Sequence, residues 1–162
     1  MKKLIVLAHA LLLTACGFQL RGSSDLPFET LYIALPETAE LRVQLARTVQ
    51  ASSRTRVVDT PAEAQAVFSV SADNMAKNIV SLNTAGRVRE YQLVRTFSFR
   101  VHDPKGQELI PPGQIVLRRD VTFADDQILS KENEENLLLR DMQNDLVQQL
   151  LRRFAAAKQL QK

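Results

Sequence analysis

The chain has 162 residues, 45% of them hydrophobic and 24% charged, with 21 basic against 18 acidic side chains and a single cysteine. That length suits one domain with a proper core, and the balance is that of a folded protein rather than a disordered one. One cysteine excludes an internal disulfide, and so excludes the small disulfide-stapled scaffolds.

Residues 1–15 read as a leader that ends just before Cys16. Lys2 and Lys3 precede an apolar run from Leu4 to Leu13 broken only by His9, and Leu13-Thr14-Ala15-Cys16 closes it. A basic start, a short apolar stretch and small residues at the cut are the layout of a secretory signal. The run is too short to span a bilayer, which needs about 20 apolar residues. A cysteine at the cut resembles the bacterial lipoprotein signal, which implies that residues 1–15 are removed. Cys16 would then carry an S-diacylglycerol and an N-acyl chain. Such chains hold firmly, at about 0.8 kcal/mol per buried CH₂. Gly17, where an Asp would favour retention at the inner membrane, implies transfer to the outer membrane.

Loss of Lys2 and Lys3 with the leader leaves 19 basic residues against 18 acidic ones. The nominal pI of about 9.2 therefore overstates the mature chain, and the overall charge gives no argument for nucleic acid. Residues 16–29 read as the lipidated N-terminus and tether, with Gly22-Ser23-Ser24 as a polar spacer. Residues 30–160 read as a single domain.

Residues 30–35 form a first strand closed by Pro36. Residues 38–51 read as a helix, with Leu41, Leu45, Ala46 and Val49 on one stripe and Thr38 as its cap. A short strand over 56–59 leads to the turn at Thr60-Pro61. Phe68 and Val70 alternate with Ser69 and Ser71 in a strand over 66–72. The clearest alternation follows. Tyr91, Leu93, Phe97, Phe99 and Val101 share one face, and Gln92, Thr96, Ser98, Arg100 and His102 share the other.

Asn83-Thr84-Ala85-Gly86 reads as an exposed hairpin tip and Asp103-Pro104-Lys105-Gly106 as a turn. Pro111-Pro112-Gly113 reads as a break before a strand carrying Ile115, Leu117, Val121 and Phe123. Residues 66–124 are thus an antiparallel meander. From Glu132 to about Ala157 the period turns helical. Leu138, Met142, Leu146, Leu150 and Phe154 make one line, widened by Leu139, Val147 and Leu151, with Ser130 as the cap. Two helices on one sheet make a two-layer α+β domain.

Candidate chemistry is sparse. His102 stands alone on a polar strand face, and the sequence has no Cys/His spacing for a metal, no P-loop and no GxSxG elbow. The adjacent carboxylates Asp125-Asp126 and Glu134-Glu135 read as loop and helix-end groups. An enzyme is not expected, nor a cofactor beyond the lipid on Cys16. Cations remain. Lys77, Arg87, Arg89, Arg100 and Arg118 fall on polar sheet positions, and Lys131 falls at the start of the last helix. Arg95 and Arg119 fall on the apolar face. Either the polar face is simply solvated and these two arginines snorkel past its edge, or the cations meet an anionic ligand such as lipopolysaccharide.

Several motifs favour the second account. Cys16-Gly17-Phe18-Gln19-Leu20-Arg21, Glu90-Tyr91-Gln92-Leu93, Lys131-Glu132-Asn133-Glu134 and Arg140-Asp141-Met142 resemble, in order and spacing, the LPS-assembly lipoproteins of the LptE (RlpB) family. The resemblance covers nearly the whole mature chain. It implies an outer-membrane lipoprotein with two helices packed on one face of a four-stranded, mostly antiparallel sheet. It further implies a 1:1 complex in which the domain plugs the lumen of the LptD β-barrel and assists its assembly. Lipopolysaccharide would be the ligand, bound by basic residues near the hairpin and the last helix: Arg87, Arg89, Lys131 and Lys77. Where the family carries a basic residue two positions before the hairpin glycine, this chain has Thr84. The residues alone leave open an outer-membrane lipoprotein adaptor of another barrel-assembly or secretion complex, and a periplasmic lipid-handling enzyme.

Overall fold

A computed structural model describes residues 26–122 and 128–157, with the backbone alone for 128–132. The leader, Cys16, Phe123 and the Asp125-Asp126 pair lie outside the described residues. Five strands and two long helices follow in the order β1 (Thr30–Ala34), α1 (Glu40–Ser52), β2 (Arg56–Val58), β3 (Ala66–Leu82), β4 (Val88–His102), β5 (Glu108–Thr122) and α2 (Ile128–Ala157). A 3₁₀ turn over Pro61–Glu63 joins β2 to β3.

The strands form one mixed sheet in the order β2-β1-β3-β4-β5. β1 runs parallel to both β2 and β3, and β3, β4 and β5 are antiparallel neighbours. The expected meander is therefore present, but the expectation of a four-stranded, mostly antiparallel sheet is corrected. The three residues of β2 add a fifth strand, pairing with Thr30 to Tyr32 and anchored by the Arg56 N–H donating to the Glu29 carbonyl at 2.8 Å. The strand pattern over 56–59 already pointed to it.

One face of the sheet is covered and one is open. The covered face carries Phe68, Tyr91, Leu93, Phe97, Phe99, Val101, Ile115, Leu117 and Val121, all buried. α1 lays Leu41, Leu45 and Val49 on this layer, and α2 lays Met142, Leu146, Val147, Leu150, Leu151 and Phe154 on it. Phe154 sits edge-on to Phe68, Phe99 and Phe28, with centroids 5.7, 6.2 and 6.1 Å away. Burial of this order supplies about 1.5–3 kcal/mol for each large apolar side chain, and edge-on aromatic pairs add to it.

Several local expectations are revised. α1 starts at Glu40 behind Ala39, with no side-chain cap, so Thr38 does not cap it. Instead the Arg42 guanidinium donates to the carbonyls of Ile33 and Leu35, both at 3.1 Å, and seals the end of β1. The backbone is already helical at Ile128, which puts Ser130 inside α2 rather than at its cap. Pro111 and Pro112 do not break β5. They lie in a bulge opposite Arg100 on the edge strand, where a missing N–H costs no ladder bond. Gly113 beside them sits in a tight spot: a Cβ there would meet the Phe99 ring at 3.2 Å and make the end of the Arg153 side chain, 2.9 Å away, move aside. Arg153 passes over this gap to donate to the Gln114 carbonyl at 2.8 Å, tying the end of α2 to the sheet edge.

Candidate functional site

The long β3–β4 hairpin carries most of the expected cations. Its tip is closed by Asn83, whose side-chain oxygen accepts from the N–H of Ala85 at 3.0 Å and of Arg87 at 2.9 Å. Gly86 takes φ +75°, a conformation that glycine adopts without steric cost. The Asp103 turn at the other end of β4 is built the same way, with bonds from Lys105 and Gln107 and Gly106 at φ +88°. Arg87 and Arg89 are both exposed beside the Asn83 tip, but not on regular polar sheet positions: Arg87 precedes β4, and Arg89 falls at the register shift between the Glu90 and Val88 rungs.

Lys77 is on the other face from the one the sequence pattern implies. An extra residue at Ser71 shifts the β3 register, since Val70 pairs with Phe99 while Ala72 pairs with Ser98. Beyond this β-bulge, Asp73, Met75, Lys77 and Ile79 share the covered face with Phe97, Arg95, Leu93 and Tyr91. Lys77 therefore meets α2. Its ammonium donates to a Glu135 oxygen at 2.9 Å and lies 3.8 Å from the centre of the Tyr91 ring. The Tyr91 hydroxyl donates to the same carboxylate oxygen.

The electrostatics of this trio follow from its geometry. The hydrogen bond from Lys77, then that from Tyr91, holds the Glu135 carboxyl below its ordinary value against the opposing effect of burial. Burial and the bond to Glu135 push the Tyr91 phenol up. Burial pulls Lys77 down, but its bonds and its attraction to Glu135 outweigh that and leave it raised. Lys131 lies one helical turn before Glu135, so the backbone brings the two basic motifs, hairpin and helix start, to the same side of the molecule. The Lys131 side chain lies outside the described residues.

The two arginines expected on the apolar face are there, and each has an internal partner. Arg95 makes a two-pronged pair with Asp73 at 2.7 and 2.8 Å and donates to Gln143; its side chain is 11% exposed. Arg119 donates to Asp141 at 2.8 and 3.0 Å and to Asp145 at 3.3 Å, which raises it further above its already high ordinary value. They staple α2 to β4 and β5, so neither snorkelling nor an external anion is needed to explain them.

Arg100 and Arg118 are exposed on the open face, as expected. His102 also lies there. Its Nδ1–H donates to the Asp103 carbonyl at 2.7 Å, which leaves Nε2 to accept from the Ser69 hydroxyl at 3.1 Å when the ring is neutral. Among the described residues no group of His, Cys, Asp and Glu side chains is placed to hold a metal, and no helix is long and apolar enough to cross a membrane. The cleft between α1 and α2, about 410 Å³, is lined by Val43, Gln44, Arg47, Arg140 and Asn144 and is open to solvent. Sequence reasoning missed Glu135 as the partner of Lys77. It also missed the exposed Met75, Ile79, Val80 and Leu82 along β3.

A family model described as lipopolysaccharide-assembly, LptE, matches residues 28–154, which takes in both helices up to Phe154 and the whole sheet. The chain belongs to the LptE family. It is 31% identical to the LPS-assembly lipoprotein LptE of Pectobacterium atrosepticum over 93% of this chain and 83% of that one. It is 30% identical to that of Yersinia enterocolitica over 93% and 74%. Among solved structures, lipoprotein B of Nitrosomonas europaea superposes with a TM-score of 0.73 at 39% identity, covering 84% of this chain and 88% of that one. The rare lipoprotein B of Shewanella oneidensis, at 24% identity, shares the fold with a TM-score of 0.70 over 82% and 99%. LptE membership thus rests on the domain itself, independently of the leader motif.

Proposed function

We propose that this protein is an outer-membrane lipoprotein, held at the periplasmic leaflet through acylated Cys16, whose domain plugs the lumen of the LptD β-barrel. In this role it assists assembly of the barrel, binds lipopolysaccharide and takes part in its insertion into the outer leaflet. It carries out no reaction of its own. The observation that carries the reading is the match to the LptE family across the whole described domain.

The physical character of the fold supports it. The open sheet face presents Asn74, Asn78, Gln92, Thr96, Ser98, Gln114, Arg118 and Asp120, with Gln92 donating to Asp120 at 2.7 Å across the strands. Such a hydrogen-bonding face suits the polar interior of a large barrel. A lipid anchor raises the effective concentration of the plug beside its barrel. Cations at Arg87, Arg89 and Lys131 suit lipid A phosphates, for which they would compete with divalent ions and so loosen lipopolysaccharide aggregates.

The test is a detergent pull-down of the C-terminally tagged full chain from outer membranes, with partners identified by mass spectrometry. LptD should be recovered in near-equal amount. Recovery of a different barrel or secretion pore in its place would overturn the plug assignment while leaving the fold and the anchor.

A further inference from the structure

The sheet has three stretches of strand with no described neighbour on the outer side, and they differ in how well they are guarded. β2 is only three residues long. β5 carries Pro111 and Pro112, which cannot donate to a further strand, and exposed Glu108, Arg118 and Asp120. The third stretch is β3 beyond Ser69, where its pairing with β1 ends. Over residues 72–79 this edge is held to residues 91–98 of β4 by eight consecutive rungs without a register shift, and it contains no proline.

The side chains of this edge alternate in kind as well as in direction. Met75 and Ile79 lie on the helix-bearing face but outside the cover of α2, which packs chiefly over β5, and they are 48% and 63% exposed. Ala72, Asn74, Ala76 and Asn78 lie on the open face. A charge on an edge strand ordinarily discourages a newcomer. The two charges of this run, Asp73 and Lys77, share the face of Met75 and Ile79. Each is neutralised within the domain, Asp73 by Arg95 at 2.7 Å and Lys77 by Glu135 at 2.9 Å. The edge thus offers unpaired backbone donors and acceptors, flanked by apolar side chains on one face and amides on the other. A strand of a transmembrane β-barrel has the matching character, apolar and polar residues in alternation over about ten residues.

We propose that the free edge of β3, residues 72–79, pairs with a strand of the barrel partner before that barrel closes. Main-chain hydrogen bonds supply the attraction. Apolar residues of the incoming strand cover Met75 and Ile79, and its polar residues meet Asn74 and Asn78. A finished barrel has no strand edge to give, so the contact forms during assembly and is released on closure. This rests on the plug reading above and supplies a physical means by which the domain assists assembly.

The experiment titrates the detergent-purified full chain with two synthetic peptides and follows amide hydrogen exchange. One peptide alternates leucine and threonine over about ten residues, the length of a barrel strand, between solubilising lysines. The other has its two central residues replaced by proline. The alternating peptide should bind at least tenfold more tightly and slow exchange across residues 72–79. Met75→Lys/Ile79→Lys, at exposed positions and so compatible with folding, should abolish that preference at an unchanged melting temperature. Equal binding of the two peptides, or no slowing of exchange in β3, would overturn the edge pairing. Exchange that slows in the free chain as its own concentration rises would assign the edge to a second copy and overturn the pairing too. In cells, the same variant should recover at least fivefold less LptD than the wild type in the pull-down described above. Full recovery would overturn the assembly contact while the plug reading stands, and recovery of no LptD by the wild type would overturn the plug reading itself.

Discussion

At the scale of single residues, Glu135 holds the first half of α2 to the sheet through Lys77 and Tyr91. Because its carboxyl lies below its ordinary value of 4.5, the stability it contributes is complete above that value and is lost as pH falls through the lowered one. Lys77 and Tyr91 are raised above 10.5 and 10.0, so their contributions are complete below those values and lost as pH climbs through the raised ones. Glu135→Gln should therefore flatten the acid limb of a stability profile and the lysine part of the alkaline limb, while the part of the Tyr91 shift due to burial persists. With Lys77 49% exposed and screened by water, the loss near neutral pH should be about 1 kcal/mol. Denaturant titrations across the pH range measure it.

At the scale of elements, Ser71 sets the bulge in β3. Because the bulge absorbs this one residue, Lys77 faces α2 and Asn74 and Asn78 the open face, out of the phase counted through the sequence from Phe68 and Val70. Deleting Ser71 should join Val70 and Ala72 as consecutive rungs opposite Phe99 and Ser98 and leave every side chain beyond them on its present face, so the Lys77–Glu135 pair should survive, as hydrogen exchange and the acid limb of thermal melting would show. The same residue marks the limit of what the sequence made legible. Both helices, the five strands and both hairpin turns follow from periodicity and from Asn, Asp, Pro and Gly at their tips. The faces of Arg95 and Arg119 were read correctly, since alternation along β4 and β5 is unbroken there. Lys77 was misplaced because alternation carried on from Phe68 and Val70 ignores an inserted residue. Met75 and Ile79, apolar on the opposite phase, were the available signal. The acids that satisfy the arginines come from distant segments, and nothing local in a strand names them. The start of α1 differed because Arg42, rather than a cap at Thr38, ties the helix to the end of β1, and α2 is already helical at Ile128, two residues before Ser130.

At the scale of the whole molecule, the cations divide by what they hold. Arg95, Arg119 and Arg153 hold the molecule together, while Arg87 and Arg89 face outward. Charge reversal at Arg87, Arg89 and Lys131 together should weaken lipopolysaccharide binding and flatten its salt dependence, with little effect on thermal stability. A binding titration at several salt concentrations checks it, and unchanged binding would remove these residues from the ligand site. The length of β3 has a further geometric meaning. β1 runs alongside its first residues, so the chain enters the domain at one pole and the Asn83 turn stands at the other. Seventeen strand residues at a rise of about 3.3 Å each separate the poles by roughly 50 Å. A bilayer with its headgroups is about 40–45 Å thick. A domain anchored at Cys16 as proposed above and standing upright would thus be long enough to bring its far tip to the opposite surface of the membrane.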